Sequence, residues 1–264
     1  MEQYSVLTYN IGGYEKVHEI LEKSPNAEYI YVTDDKSITS ETWTVVYVDN
    51  PWPHDPFGLC YEIRFNPFRY VHTNIVFRVD GSIQINKNLD PLLQYYIDGG
   101  YNIGLGLHPV RNTMAAEYSA WCQTRAFPVE QANKCLSFIQ NAYHYDAINY
   151  KGLAQYNIMI QRNDKINNLI NEMTLWTLKY LAAEGKEVER IDQTIGNVVI
   201  QKFFQGIKVM AMSVDICDST WLTWFAHNSD YKLPYSPVRV DPYYFNQPIE
   251  YCPLTIKENF IKNE

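Results

Sequence analysis

The chain has 264 residues, 46% of them hydrophobic and 15% aromatic, with a formal net charge of −8. That length and apolar content suit one large α/β domain or two small ones with a sizeable core. The acidic balance excludes a protein that tracks a nucleic-acid backbone, which needs clustered Lys and Arg, but leaves nucleotides open as ligands.

Residues 5–9 read as a buried first strand, closed by a turn at Asn10-Ile11-Gly12-Gly13. Residues 14–23 have helical spacing through Val17, Ile20 and Leu21 and stop at Ser24-Pro25-Asn26. Residues 28–33 form a second strand ending at Asp34-Asp35, and 42–48 an alternating third. The prolines between 50 and 58 mark a loop, and 64–70 lead to an apolar strand at 75–79. After Asp80-Gly81-Ser82 the strand pattern resumes at Ile83. Residues 90–97 begin a helix with Pro91 in its first turn. Gly99, Gly100, Gly104 and Gly106 fit neither a Walker nor a Rossmann fingerprint and read as a flexible rim over an active site.

Further on, 113–124 and 129–142 are helical, 156–161 is a short strand, and 164–183 is a long amphipathic helix bounded by Gly185. Residues 188–204 form another helix and 207–215 a returning strand. From 233 to 264, Pro and aromatic residues dominate and describe an extended tail that wraps on the domain without a core of its own. The alternation of strands with helices or loops predicts an α/β fold with a mainly parallel, doubly wound sheet. Five cysteines are scattered with no CxxC pair, the pattern of reduced thiols. The first residues carry no basic, apolar leader, and no run reaches the roughly 18–20 apolar residues of a membrane span. The expectation is a soluble, cytoplasmic protein with no transmembrane segment.

Several groups carry chemistry, each with an ordinary alternative. Asp80-Gly81-Ser82 follows an apolar strand, where open α/β sheets place ligand contacts, but Asp-Gly is also a common hairpin turn. Asp34 and Asp35 end the second strand and would either reach a ribose or base or make a solvated turn. Thr8 and Tyr9 end the first strand. Arg64 suits a bidentate phosphate contact or a surface salt bridge. Asp192 and Gln193 open a helix, where a carboxylate is favoured by the dipole whatever else it does. His227 is either a metal-binding imidazole or a structural histidine.

The order of these motifs resembles a GT-A glycosyltransferase family of polysaccharide pathways with bacterial, viral and plant members. The likeness runs over roughly 4–232 through Tyr9-Asn10-Ile11-Gly12-Gly13-Tyr14, Tyr31-Val32-Thr33-Asp34-Asp35 with Trp43, and Arg64-Phe65-Asn66-Pro67. It continues through Val79-Asp80-Gly81-Ser82-Ile83, His108-Pro109-Val110-Arg111 with Glu117, Gly152-Leu153-Ala154-Gln155-Tyr156-Asn157, and Arg190-Ile191-Asp192-Gln193. His227 to Pro234 is similar to a late His…Lys-Pro segment of the superfamily. Three departures stand out: Ser82 replaces the second Asp of an Asp-x-Asp motif, Ile191 separates Arg190 from Asp192, and Phe68 stands where a His is common.

The resemblance implies a single GT-A-like domain over 1–232, with a nucleotide-binding half to about 106 and an acceptor half over 107–232. It implies transfer of a sugar from a nucleoside-diphosphate sugar to a glycan or other hydroxyl acceptor, with retention. Asp192, Gln193 and Glu117 would be catalytic. Thr8, Tyr9, Asp34, Asp35, Arg64, Asp80, Ser82, His108, Arg111, Asn157 and Lys232 would hold the donor. Asp80 and His227 would take a divalent cation, Mn²⁺ or Mg²⁺, weakened by Ser82. The competing expectations are a non-catalytic sugar-nucleotide or glycan binder and a nucleotidyltransferase.

Overall fold

A computed structural model describes residues 1–51, 56–108, 111–124, 128–183, 192–213, 221–232, 243–244, 247–248 and 250–255. Its strands, in chain order, begin with β1 (Tyr4–Asn10), β2 (Ala27–Thr33), β3 (Thr44–Tyr47), β4 (Ile75–Val79), β5 (Ile83–Ile85) and β6 (Ile103–Leu107). They continue with β7 (Ala154–Arg162), β8 (Val209–Met212), β9 (Leu222–Trp224), β10 (Tyr243–Tyr244), β11 (Gln247–Pro248) and β12 (Glu250–Tyr251). The helices are α1 (Pro56–Phe65), α2 (Asp90–Asp98), α3 (Met114–Thr124), α4 (Val129–Tyr143), α5 (Lys165–Ala183) and α6 (Asp192–Phe203).

Eight strands form one sheet in the order β12-β8-β6-β7-β4-β1-β2-β3. All neighbours are parallel except those of β7, which runs against both β4 and β6. The expected α/β, mainly parallel sheet is therefore present, with one reversed strand. The chain winds outward from β1 in both directions, to β2 and β3 on one side and to β4 on the other. That reversal of direction leaves a crevice beyond the carboxyl ends of β1 and β4.

Alternation along the strands divides the core. Val6, Phe77 and Ile158 pack on one face with Leu92, Leu93 and Tyr96 of α2. Leu7, Ile30 and Val76 face the other way, toward Leu59 and Ile63 of α1. The β6–β8 side of the sheet is covered by α3, α4, α5 and α6. Each fully buried apolar side chain contributes roughly 1.5–3 kcal/mol. β5 leaves the main sheet and pairs with β9. In the tail, β10 pairs with β11, and β12 adds the eighth strand to the sheet edge.

Three expected elements take another form. The helix read over 14–23 is absent, because neighbours take the backbone groups that it would use. Trp43 Nε1 donates to His18 O, Gln84 Nε2 to Glu19 O, and the Leu21 amide to Ile85 O. The loop read through 58 gives way at Pro56 to α1, which uses proline where a helix has no need of the amide proton. The glycine-rich rim is instead split: Gly99 and Gly100 make the turn that ends α2, and Gly104 and Gly106 lie in the buried strand β6.

Gly104 and Gly106 serve close packing against β7. A Cβ on Gly106 would lie 2.4 Å from Ile158 Cγ1, and one on Gly104 would lie 3.0 Å from Ile160 Cβ. Gly106→Ala is expected to lower stability by about 1–3 kcal/mol, and Gly104→Ala by less. Urea unfolding measures both, and equal stability of the two variants with wild type would contradict this packing.

Candidate active site

A cavity of about 300 Å³ opens beyond the ends of β1 and β4. Tyr9 and Asn10 reach it from β1, Asp80 and Gly81 from the turn after β4, Gln155 and Asn157 from β7, and Asp192 and Gln193 from the start of α6. Tyr14, Phe57, Tyr61, Trp121 and Trp224 supply aromatic walls.

Arg64, near the end of α1, ties these elements together. Its Nη2 lies 2.7 Å from Asp80 Oδ1, its Nη1 donates to Asp192 Oδ2, and its Nε donates to Tyr9 Oη at 2.5 Å. The Arg64 and Asp192 side chains are 15% and 7% exposed, so this is a buried ion-pair cluster rather than a surface bridge. Burial opposes the Arg64 charge, but the Tyr9 phenol and the Asp80 carboxylate overcome it and hold the pKa above the ordinary arginine value. Burial likewise drives the Tyr9 hydroxyl to a raised pKa, so it stays protonated at neutral pH.

The turn after β4 is tight: the Ile83 amide donates to Asp80 O. Its strands nevertheless part, since β5 pairs with β9 rather than with β4. A Cβ on Gly81 would lie 2.9 Å from Tyr9 O, so the glycine lets the ends of β1 and β4 converge. Ser82 is buried and lines the cavity beside it.

Helix α6 is fixed at its start by Asn197, which exchanges hydrogen bonds with the Ala154 amide and carbonyl of β7. Asn157 and Gln193 line the cavity, while one amide atom of each is turned into the protein. Asn157 Oδ1 and Gln193 Nε2 are buried and have no hydrogen-bond partner.

On the far wall, Glu117 of α3 is 2% exposed and accepts from Arg111 Nε at Oε2. His108 Nε2 lies 3.5 Å from the same oxygen, while His108 Nδ1 accepts from the Arg111 amide at 2.9 Å. That amide bond leaves the imidazole proton on Nε2. Burial, and then the Arg111 charge, push the His108 pKa down to about 3.

His227 reaches the cavity through Glu15, a buried carboxylate that sequence reasoning passes over. Glu15 pairs with His227 Nδ1, accepts from the Asn228 amide at 3.0 Å, and is held by two hydrogen bonds between its own backbone and the Asn10 side chain. The misread helix over 14–23 hid Glu15 from view. Arg78 is hidden inside an apolar run, although a charge in a buried strand is itself a rare signal.

Tyr9, Arg64, Asp80, Ser82, His108, Arg111, Glu117, Asn157, Asp192, Gln193 and His227 thus share one cavity. Thr8 is buried without lining it. Asp34 stands behind the wall, accepting from the Gly12 amide and Asn50 Nδ2. Asp35 caps its own turn through the amide and hydroxyl of Ser37, and these donors lower its pKa. Lys232 is exposed and bridges Phe225 outside the cavity lining. Pro109, Val110, Arg190, Ile191 and Pro234 lie outside the described residues.

Among the described residues, no group of three or more His, Cys, Asp or Glu side chains is arranged to hold a metal ion. Asp80 pairs with Arg64 and His227 with Glu15, so a divalent cation held by Asp80 and His227 would have to compete with Arg64 for the Asp80 carboxylate. No helix among the described residues is long and apolar enough to cross a membrane. No family model and no curated protein sequence matches the chain.

The His108 environment has a pH signature. Its folded pKa lies below the unfolded value of about 6.5, so the unfolded chain binds the extra proton in between. The stabilisation is present above pH 6.5 and is lost as pH falls toward 3. Between pH 7 and 4, the melting temperature of wild type should fall more steeply than that of His108→Asn. Parallel curves would remove His108 as the group responsible.

Proposed function

We propose that the protein is a GT-A-type glycosyltransferase that moves a sugar from a nucleoside-diphosphate sugar to a glycan or other hydroxyl acceptor. The observation that carries this reading is the convergence of one guanidinium and two carboxylates, Arg64, Asp80 and Asp192, on a cavity beyond the carboxyl ends of β1 and β4. A guanidinium there suits a diphosphate, and carboxylates accept from the hydroxyls of a sugar ring. The order β3-β2-β1-β4, with reversed β7 beyond it, supports a nucleotide crevice at the carboxyl ends of the strands. The aromatic walls offer faces for a base or a sugar ring.

In this reading Arg64 takes the diphosphate. Its guanidinium is planar and permanently charged, and phosphate oxygens replace one of its carboxylate partners. Asp192 is thereby released toward the sugar, where its negative charge stabilises the cationic character that grows at the anomeric carbon. The bond from that carbon to the diphosphate oxygen breaks, the acceptor oxygen bonds to the same face, and the acceptor proton leaves with the diphosphate. Glu117, with His108 and Arg111 on Oε2, contacts hydroxyls on the acceptor side. No step passes through a metal ion, since Arg64 supplies the positive charge.

A thermal-shift panel of nucleoside diphosphates and their sugars tests the ligand class, because a bound donor stabilises the folded state. A donor that fits should raise the melting temperature equally in Mn²⁺ and in EDTA. A shift seen only with Mn²⁺ would overturn the role given to Arg64. Hydrolysis of that donor should release nucleoside diphosphate, and Asp192→Asn should lower kcat by roughly 10²–10³. Release of pyrophosphate would identify a nucleotidyltransferase, and binding without turnover on a broad acceptor panel a non-catalytic binder.

A further inference from the structure

Among the described residues Arg78 is the largest side chain that the fold buries completely, 2% exposed near the end of β4. Its neighbours Val76, Phe77 and Val79 are apolar, and an apolar residue there would avoid the desolvation of a guanidinium. Among the described residues, no carboxylate accepts from it. Nη1 donates to the backbone carbonyl of Arg64 at 3.2 Å, Nη2 to the backbone carbonyl of Tyr156 at 3.2 Å, and Nη2 also lies 3.6 Å from Met159 Sδ. Nε has no partner.

Both carbonyls sit at unusual places in the backbone. Arg64 O belongs to the last turn of α1, where helix carbonyls lack a partner within the helix and favour a cation. Tyr156 has φ of +61°, a left-handed conformation that a residue with a Cβ rarely holds inside a strand. The pairing of β6 with β7 slips at this point, between Leu105 and Leu107. The Tyr156 ring is driven against α6, where a Cβ on Gly196 would lie 2.3 Å from Tyr156 Oη. On either side of this kink, Gln155 and Asn157 line the cavity, and the Asn157 carbonyl accepts the Asp80 amide.

We infer that Arg78 is a positioning residue of the cavity, fastening the end of α1 to the kink of β7 so that Arg64 and Asn157 are aimed at the ligand. It touches no ligand itself, since it is absent from the cavity lining. Two carbonyls from segments 92 positions apart in numbering (64 and 156) share one rigid fork of donors. Burial, and then the Arg64 charge, push its pKa down to about 10, so it remains a cation at neutral pH. The inference deepens the proposed function and rests on that reading for what the cavity holds.

Arg78→Lys keeps the charge but not the fork, and Arg78→Met keeps neither. Gly196→Ala presses on Tyr156 from the opposite side and serves as an independent disturbance of the kink. Amide hydrogen exchange is followed over 62–66 and 154–158, with 30–33 in β2 as the internal reference. All three variants should speed exchange in the first two segments by about tenfold or more while 30–33 keeps its wild-type rate. The same variants are titrated with UDP, GDP, ADP, CDP and dTDP. Whichever binds wild type should bind each variant about tenfold or more weakly, a loss of about 1.4 kcal/mol, and Arg78→Lys should not restore it.

Exchange that is unchanged, or that rises equally in 30–33, overturns the inference by making Arg78 a general stabiliser. Faster local exchange with wild-type nucleotide affinity overturns the aiming of Arg64 and Asn157. If wild type binds none of the five nucleotides, the functional reading fails, and the exchange data still decide whether Arg78 fixes the two backbones.

Discussion

The guanidinium of Arg64 is the interaction on which the cavity depends. It joins a phenol from β1, a carboxylate after β4 and a carboxylate at the start of α6. Without it, two acidic side chains would face each other in a poorly hydrated crevice, a mutual repulsion that the fold would have to relieve by protonation or movement. With it, the cluster carries a single net negative charge instead of two. The same charge that offsets these carboxylates is suited to a diphosphate, so structural and proposed ligand-binding roles fall on one residue. Removing either carboxylate leaves Arg64 partly paired, whereas removing Arg64 leaves both without their shared partner.

Around that cluster the architecture works by close approach of backbones. Gly81 lets β4 end against β1, Gly106 lets β6 lie against the kinked part of β7, and Gly196 lets the Tyr156 ring rest on α6. Each removes a Cβ where two chain segments meet, and each meeting brings cavity-lining residues together. The reversed strand β7 is central to this, because it passes between β4 and β6 and delivers Gln155 and Asn157 at the same sheet end as Asp80. Residues from before and after position 106 therefore share one sheet and one cavity.

Legibility differed by element for physical reasons. β1, β2, β4 and β7 were readable because buried strands leave apolar runs bounded by polar turns. Helices α3, α4 and α5 showed their apolar spacing directly. The segment 14–23 has the same spacing but forms no helix, because tertiary partners at Trp43, Gln84 and Ile85 claim its backbone groups. β6 was hidden by glycines, which read as flexibility in sequence but here answer to crowding by Ile158 and Ile160. Among the candidate residues, those at strand or helix ends were found by position. Asp35 fits that rule too, yet its carboxylate is spent on Ser37 in its own turn.

The sequence by itself determined the class of fold, the sites of the main strands and the roster of polar residues near their ends. Those follow from local periodicity and from turn chemistry, which act over a few residues. Only the tertiary structure decided that Arg64, Asp80 and Asp192 form one cluster, that Glu15 holds His227, and that Arg78 bridges α1 to β7. Such contacts join residues up to 212 positions apart. No local pattern encodes them, because they arise from which strands the sheet sets side by side and how closely their backbones meet.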